Sequence, residues 1–204
     1  MRIRTLLALA LAFVTGSLSA QTTGDDPVSL VESTAGKMLA AAAENREAYN
    51  ADPTLLVELV HRDLLPVLDI DYSARLILGR AGRGLDDAKI SEFATCMSNL
   101  LIKRYSMALL DFSSQIKLNV LPQRGEMDEK LTRVRTRITL PSGRDAPVDY
   151  AFHKTAAGWK AFDVIVEGIS YVTTYRNQIM PEVQDNGIDS VIERLNSGQL
   201  QLTE

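Results

Sequence analysis

The hydrophobic periodicity of this chain changes twice, and an all-helical or all-strand fold cannot accommodate the change. From Asp87 to Asp111, Ile90, Phe93, Ala94, Met97, Leu100, Leu101, Tyr105, Ala108 and Leu109 recur at three- and four-residue steps. That is the spacing of one helix face. From Ile116 to Val166 the step falls to two. Ile116, Leu118 and Val120 alternate with polar residues, and Thr132, Val134, Thr136, Ile138 and Leu140 oppose Arg133, Arg135 and Arg137. Val148, Tyr150 and Phe152 alternate again, as do Phe162, Val164 and Val166, which predicts half-buried strands. The links Gln123–Glu129, Ser142-Gly143-Arg144 and Thr155–Gly158 are short and polar or glycine-bearing. Four strands joined this way form an antiparallel meander with one apolar face to cover. Past Gly168 the helical step returns in Val172, Tyr175 and Ile179, with Ser170 placed to cap, and again in Ile188, Val191, Ile192 and Leu195. The expected class is α+β: helices, a four-stranded antiparallel sheet, then helices.

Helices are also expected before Asp87. Residues 28–50 carry Val28, Leu30, Val31, Met38, Leu39 and an alanine run. Asp52-Pro53 then opens a segment with Leu55, Leu56, Leu59, Val60 and Leu64, ended by Pro66. A shorter helix runs from about Asp71 to Leu78 and stops at Gly79.

The first twenty residues read as an address rather than as fold. Arg2 and Arg4 precede an apolar run from Leu6 to Val14, and small residues Gly16 to Ala20 precede Gln21. This is the pattern of a cleaved signal peptide, and its apolar stretch is shorter than a bilayer span. No cysteine follows it to carry a lipid anchor, so residues 21–204 are expected to form one soluble exported domain. Losing Arg2 and Arg4 makes that domain more acidic than the net charge of -4 for the full chain. An acidic balance without a basic block argues against nucleic-acid binding. The single Cys96 rules out a disulfide framework, and its place between Phe93 and Leu100 predicts a buried small hydrophobe.

Catalytic signals are weak. His61 and His153 stand outside any metal-spaced cluster, and His153 falls on a polar strand face with Asp149, where a surface role is expected. Asp163 and Glu167 share a strand face, which acid–base work would require, but edge charges of a half-exposed sheet explain them more simply. Gly79-Arg80-Ala81-Gly82-Arg83-Gly84 lacks a preceding strand and the spacing of a phosphate loop, and reads as a basic connector. No enzyme activity and no metal or organic cofactor is expected.

The most distinctive stretch runs from Gly158-Trp159-Lys160-Ala161-Phe162-Asp163-Val164 through Glu167-Gly168-Ile169-Ser170 to Tyr175-Arg176 and Ile179. It resembles the MlaC family, also called the toluene-tolerance family of periplasmic phospholipid-binding proteins. That family has a tryptophan-led strand, an Asp-Val step, a Glu-Gly-Val-Ser-like turn and a Tyr-Arg helix at this spacing. Ile169 stands where valine is commoner, and Arg80-Ala81-Gly82-Arg83-Gly84 stands where the family often has an aromatic residue. Ile77-Leu78-Gly79, the Phe93 to Tyr105 helix and Gly187-Ile188-Asp189 also look like family counterparts.

The resemblance implies a periplasmic carrier that moves glycerophospholipid between outer and inner membranes and maintains outer-membrane lipid asymmetry. It implies two membrane partners: an inner-membrane ABC transporter complex with an MCE-domain protein, and an outer-membrane lipoprotein–porin complex. The implied fold is a curved sheet wrapped by helices, an NTF2-like cone enclosing an apolar cavity, with phospholipid as cargo. Candidate cavity walls are Val134 and Ile138, Tyr150 and Phe152, and Phe162, Val164 and Val166. Phe93, Leu100, Val172, Tyr175 and Ile179 oppose them from the helices. A wall and a packed core share one periodicity, so the residues alone read as core and only the resemblance makes them walls. Arg80, Arg83 and Arg176 are candidate headgroup neighbours, with a solvated surface role an equal reading. An NTF2-like enzyme and a lipid-free envelope adaptor stay open as alternatives.

Overall fold

In the computed structural model, which describes residues 26–112, 117–122, 128–140 and 142–203, the first helix begins where Asp26 caps it. Asp26 Oδ1 accepts the amides of Val28 and Ser29 at 2.9 and 3.1 Å. The Ser29 hydroxyl bonds the same carboxylate and holds it below its usual range. This helix, α1, spans Pro27–Glu44 and breaks at Asn45, so the helical stretch expected over 28–50 is two helices, α2 being Arg46–Ala51. α3 covers Thr54–Asp63, and a 3-10 turn Leu65–Val67 leads to α4, Ile70–Leu78, capped by Asp69 Oδ1 on the Tyr72 amide at 2.9 Å. Gly79 ends α4 at φ 53° and opens a second 3-10 turn, Gly79–Gly82. The long helix α5 then runs Asp87–Phe112, as its periodicity predicts.

The sheet is an antiparallel meander of five strands rather than the four expected: β1 Lys117–Val120, β2 Leu131–Thr139, β3 Asp145–Thr155, β4 Gly158–Val166 and β5 Ile169–Ser170. The fifth is two residues long, returns on β4 through the Glu167-Gly168 turn, and is too short to leave a periodic signal. α6, Tyr171–Asn186, and α7, Ile188–Asn196, close the chain. The expected export segment, Ile116 and residues 123–127 of the first link lie outside the described residues.

Burial falls into a helical side and a sheet side. Leu78, Phe93, Tyr175, Ile179 and Val191 from α4, α5, α6 and α7 are at most 1% exposed and form one core. Further along α5, Ile102 packs with Met38 and Val60, and Leu110 packs with Ala42, Tyr49, Leu56 and Leu59. α5 therefore ties the first helices to the last. On the sheet side, Val31 of α1 packs with Val134, Phe152, Trp159 and Ala161. Each buried aliphatic side chain contributes about 1.5–3 kcal/mol relative to exposure, so these contacts decide which sheet face turns inward.

Candidate functional site

Strand register defines the inward face, because residues directly opposite in an antiparallel pair share a side. Leu118 pairs with Ile138 and Val120 with Thr136. Val134 pairs with Tyr150, Thr136 with Val148 and Ile138 with Ala146. Tyr150 pairs with Val164, Val148 with Val166 and Phe152 with Ala161. One face is thus largely apolar across four strands, its polar members being Thr132, Thr136, the Tyr150 hydroxyl and, beside Trp159, Lys154. Thr136 is fully buried and donates to Val148 O at 2.6 Å, so its polarity is satisfied. Burial pushes the Tyr150 phenol up, so it stays neutral. The opposite face carries Arg133–Asp149 and Arg137–Asp145 pairs at 3.6 and 3.8 Å.

The two ends of the apolar face differ. At one end α1 covers it: Val28, Leu30 and Val31 pack with Val134, Phe152, Trp159, Ala161, Leu68 and Tyr150. The Lys154 ammonium lies over the Trp159 ring, 5.6 Å from its centroid. Towards the other end Ala146 and Val148 are buried, while Ile138, Val164 and Val166 on the same face are half-buried. Trp159, Ala161, Val148 and Leu118 belong to this face but were not among the wall residues read from sequence. Trp159 and Ala161 fall at the opposite parity to Val164, and that mixed parity is the one local signal that could have found them.

That mixed parity comes from a bulge. Ala151 pairs with Asp163 but Phe152 with Ala161, leaving Phe162 as an extra residue on β4. Phe162 therefore does not share the apolar face with Val164 and Val166, which corrects the single set expected from alternation. Its ring meets Tyr72 and His153 edge-on at 5.1 and 5.6 Å. Asp163 and Trp159, which unbroken alternation would put on one face, lie on opposite faces for the same reason.

His153 also departs from its expected surface role. Its ring stacks on Tyr72 at 4.2 Å and its Nε2 lies 2.9 Å from Asp69 Oδ2. The Asp69 amide donates to Ala161 O at 2.8 Å, and the Ser73 hydroxyl bonds Phe162 O at 2.7 Å. The start of α4 is thus fastened to β4 at the bulge. An open groove of about 820 Å3 runs past Tyr72, His153, Leu131 and Trp159.

Asp163 is occupied structurally: it accepts Ser170 Oγ at 2.6 Å and the Val172 amide at 3.0 Å. Glu167 sits in the turn at φ 50° and pairs with Arg144 at 3.1 Å. The acid–base pair read from alternation is therefore two unrelated carboxylates. Among the described residues no group of three or more His, Cys, Asp or Glu is placed to hold a metal ion. Cys96 is buried as expected, its Sγ 3.2 Å from Asn196 Oδ1, and burial raises the thiol above its usual range.

The helical residues expected to face the sheet divide. Phe93, Tyr175 and Ile179 are inside the helical core, while Leu100 and Val172 are half-buried against it. Tyr175 stands with Tyr105, hydroxyl to hydroxyl at 3.2 Å, and with Tyr171, ring centroids 5.9 Å apart. Arg80, Arg83 and Arg176 are exposed around the turn after α4. That turn packs through Ala81 on the helical core rather than on the sheet face.

Comparisons with known proteins agree with this architecture. Residues 32–197 match the family described as MlaC protein. A toluene tolerance protein of Pseudomonas putida is 29% identical over 187 residues, covering 91% of this chain and 84% of that one. The intermembrane phospholipid transport system binding protein MlaC of Haemophilus influenzae is 24% identical over 179 residues, covering 86% of this chain and 83% of that one. A solved phospholipid-binding protein from Ralstonia solanacearum, in complex with a phospholipid, superposes with a TM-score of 0.75 at 21% identity. The superposition covers 82% of this chain and 93% of that one, and at such identity it is a likeness of fold.

Proposed function

Because the chain belongs to the MlaC family, we propose that it is a periplasmic carrier that holds the acyl chains of a glycerophospholipid against the apolar face of its sheet. The observation that carries this reading is the uneven cover of that face. α1 packs on the Trp159 end, while Ile138, Val164 and Val166 extend the same apolar surface half-buried. An acyl chain of roughly 16 carbons, at ~0.8 kcal/mol per methylene, resists water by about 12 kcal/mol. A carrier must replace that contact with an apolar wall. In this reading Ile138, Val164 and Val166, with Tyr150 beside them, form it from the sheet, Val134 and Phe152 continue it beneath α1, and Leu100 and Val172, half-buried on the helical core, form its helical side. Phe93, Tyr175 and Ile179 stand behind them inside the helical core. The headgroup stays near solvent, since its charge resists burial.

Relatives named for phospholipid binding and transport support the same reading. In it, residues 1–20 are removed on export, residues 21–204 form one domain and the sheet curves into an NTF2-like cone. The carrier loads and unloads at an outer-membrane lipoprotein–porin complex and an inner-membrane ABC transporter with an MCE-domain protein. It does no chemistry on its cargo, and Asp163 and Glu167 serve the fold.

The test is native mass spectrometry, with lipid extraction, of protein purified from periplasm. About one phospholipid per chain, on a chain starting at Gln21, is expected. Val164→Glu places a carboxylate opposite Tyr150 in the middle of the wall. That variant should remain folded by circular dichroism and lose its lipid. A folded Val164→Glu protein with full lipid occupancy would show that this face holds no cargo.

A further inference from the structure

Nine of the twelve arginines among the described residues have a partner. Arg62, Arg75, Arg133, Arg137, Arg144 and Arg194 pair with carboxylates. Arg46, Arg104 and Arg135 donate to the carbonyls of Leu110, Leu202 and Pro122. The three whose guanidinium groups make no hydrogen bond or ion pair to the described residues are Arg80, Arg83 and Arg176, and they surround one turn. Arg80 and Arg83 belong to the 3-10 turn and its exit. Arg176 comes from α6 and lies over Gly79, where a Cβ would fall 2.8 Å from its Nη2. The glycine lets the guanidinium rest on the end of α4, where the helix dipole favours a cation. Of the nearest acids in sequence, Asp87 pairs with Arg75 and Asp86 accepts the Lys89 amide.

We infer that Arg80, Arg83 and Arg176 are a docking patch for the surface of a bilayer containing anionic phospholipid, separate from the cargo face. An acidic chain that leaves three guanidinium groups unpaired on one turn presents a local field opposite to its net charge of -4. Arginine forks match phosphate oxygens. Alanine and glycine fill the turn between them, so no bulky side chain stands in front of the charges. A protein partner would use large apolar anchors at its centre. Among the described residues the exposed large hydrophobics are Leu55, Met107, Leu131 and Ile169, on α3, α5, β2 and β5, and none is on this turn or on α6. Attraction to a charged membrane needs no such anchor. The patch stands on the helical core at the end of α4, outside the sheet wall of the cargo site. Docking therefore does not require the cargo's own headgroup.

The experiment is vesicle flotation of the full protein with pure phosphatidylcholine and with phosphatidylcholine containing phosphatidylglycerol, across a salt series. Lipid occupancy is measured in parallel by native mass spectrometry. Wild type should bind the anionic vesicles only, and progressively less as salt rises. Each Arg→Gln substitution should weaken binding about fivefold, and R80Q/R83Q/R176Q together should abolish it with lipid occupancy unchanged. R133Q/R137Q/R144Q carries the same change in net charge elsewhere and should bind as wild type. Three results would overturn the patch: no binding of wild type to anionic vesicles, equal loss in both triple variants, or lost cargo with vesicle binding intact. The first leaves an acidic protein as the partner, and the last assigns the arginines to the cargo headgroup. Failure of the carrier reading itself would appear separately, as wild-type protein without lipid.

Discussion

Asp163 stabilises a helix to which it does not belong. Ser170 caps α6 by accepting the Thr173 amide at 3.0 Å, and Asp163 holds both the Ser170 hydroxyl and the Val172 amide. One strand carboxylate thus satisfies first-turn groups that would otherwise lack partners. Removing it leaves the amide unpaired in a half-buried setting, at a cost of about 1–3 kcal/mol. Asp163→Ala should lower the urea midpoint accordingly, and Asp163→Asn, which keeps one acceptor, should lower it less. An unchanged midpoint in both would mean that Ser170 caps the helix alone. The Ser170 cap was legible in sequence because capping is local. The Asp163 contact was not, since an aspartate alternating with Phe162, Val164 and Val166 looks like any exposed strand residue. Only the return of the chain through Glu167-Gly168 brings it beneath α6. His153 follows the same logic: its partner Asp69 lies far away in sequence, where no periodicity points.

Among the elements, β4 separates what alternation can reveal from what it cannot. The strands β2, β3 and β4, the turns between them and the long helix α5 were all legible as changes of period. The bulge was not, because Phe162, Val164 and Val166 form an unbroken alternating set whether or not an extra residue intervenes. Its consequence is functional: the bulge turns Phe162 towards Tyr72 and His153 and leaves Val164 on the cargo face. The two positions should therefore respond in opposite ways. Phe162→Ala removes the edge-on contacts that fasten α4 to the sheet and should cost about 2–4 kcal/mol, read as a lower thermal midpoint, while lipid occupancy stays near wild type. Val164→Glu should do the reverse. Loss of lipid in Phe162→Ala with stability preserved would restore the unbroken set and place the bulge elsewhere.

For the whole molecule, a sheet with one apolar face has α1 packed on one end of it and, beyond that, Ile138, Val164 and Val166 half-buried among buried neighbours. The wall was legible only as hydrophobic periodicity, which a filled core shares. What separates wall from core is whether the protein's own side chains complete the packing, and that depends on distant elements such as Val31 of α1. If phospholipid completes it, cargo is part of the folded state and must stabilise it by mass action. A ligand at about 100 times its Kd adds about 2.7 kcal/mol, and in a chain of this size each 1 kcal/mol moves Tm by about 2–4 °C. Protein stripped of lipid by unfolding, extraction and refolding should therefore melt about 5–10 °C below the periplasmic preparation. Adding phospholipid back should restore the difference in wild type. Val164→Glu should melt at one temperature under both conditions, because its wall no longer accepts the cargo. A wild-type protein indifferent to lipid would have a face already filled by its own helices, and a lipid-free adaptor would then describe it better than a carrier.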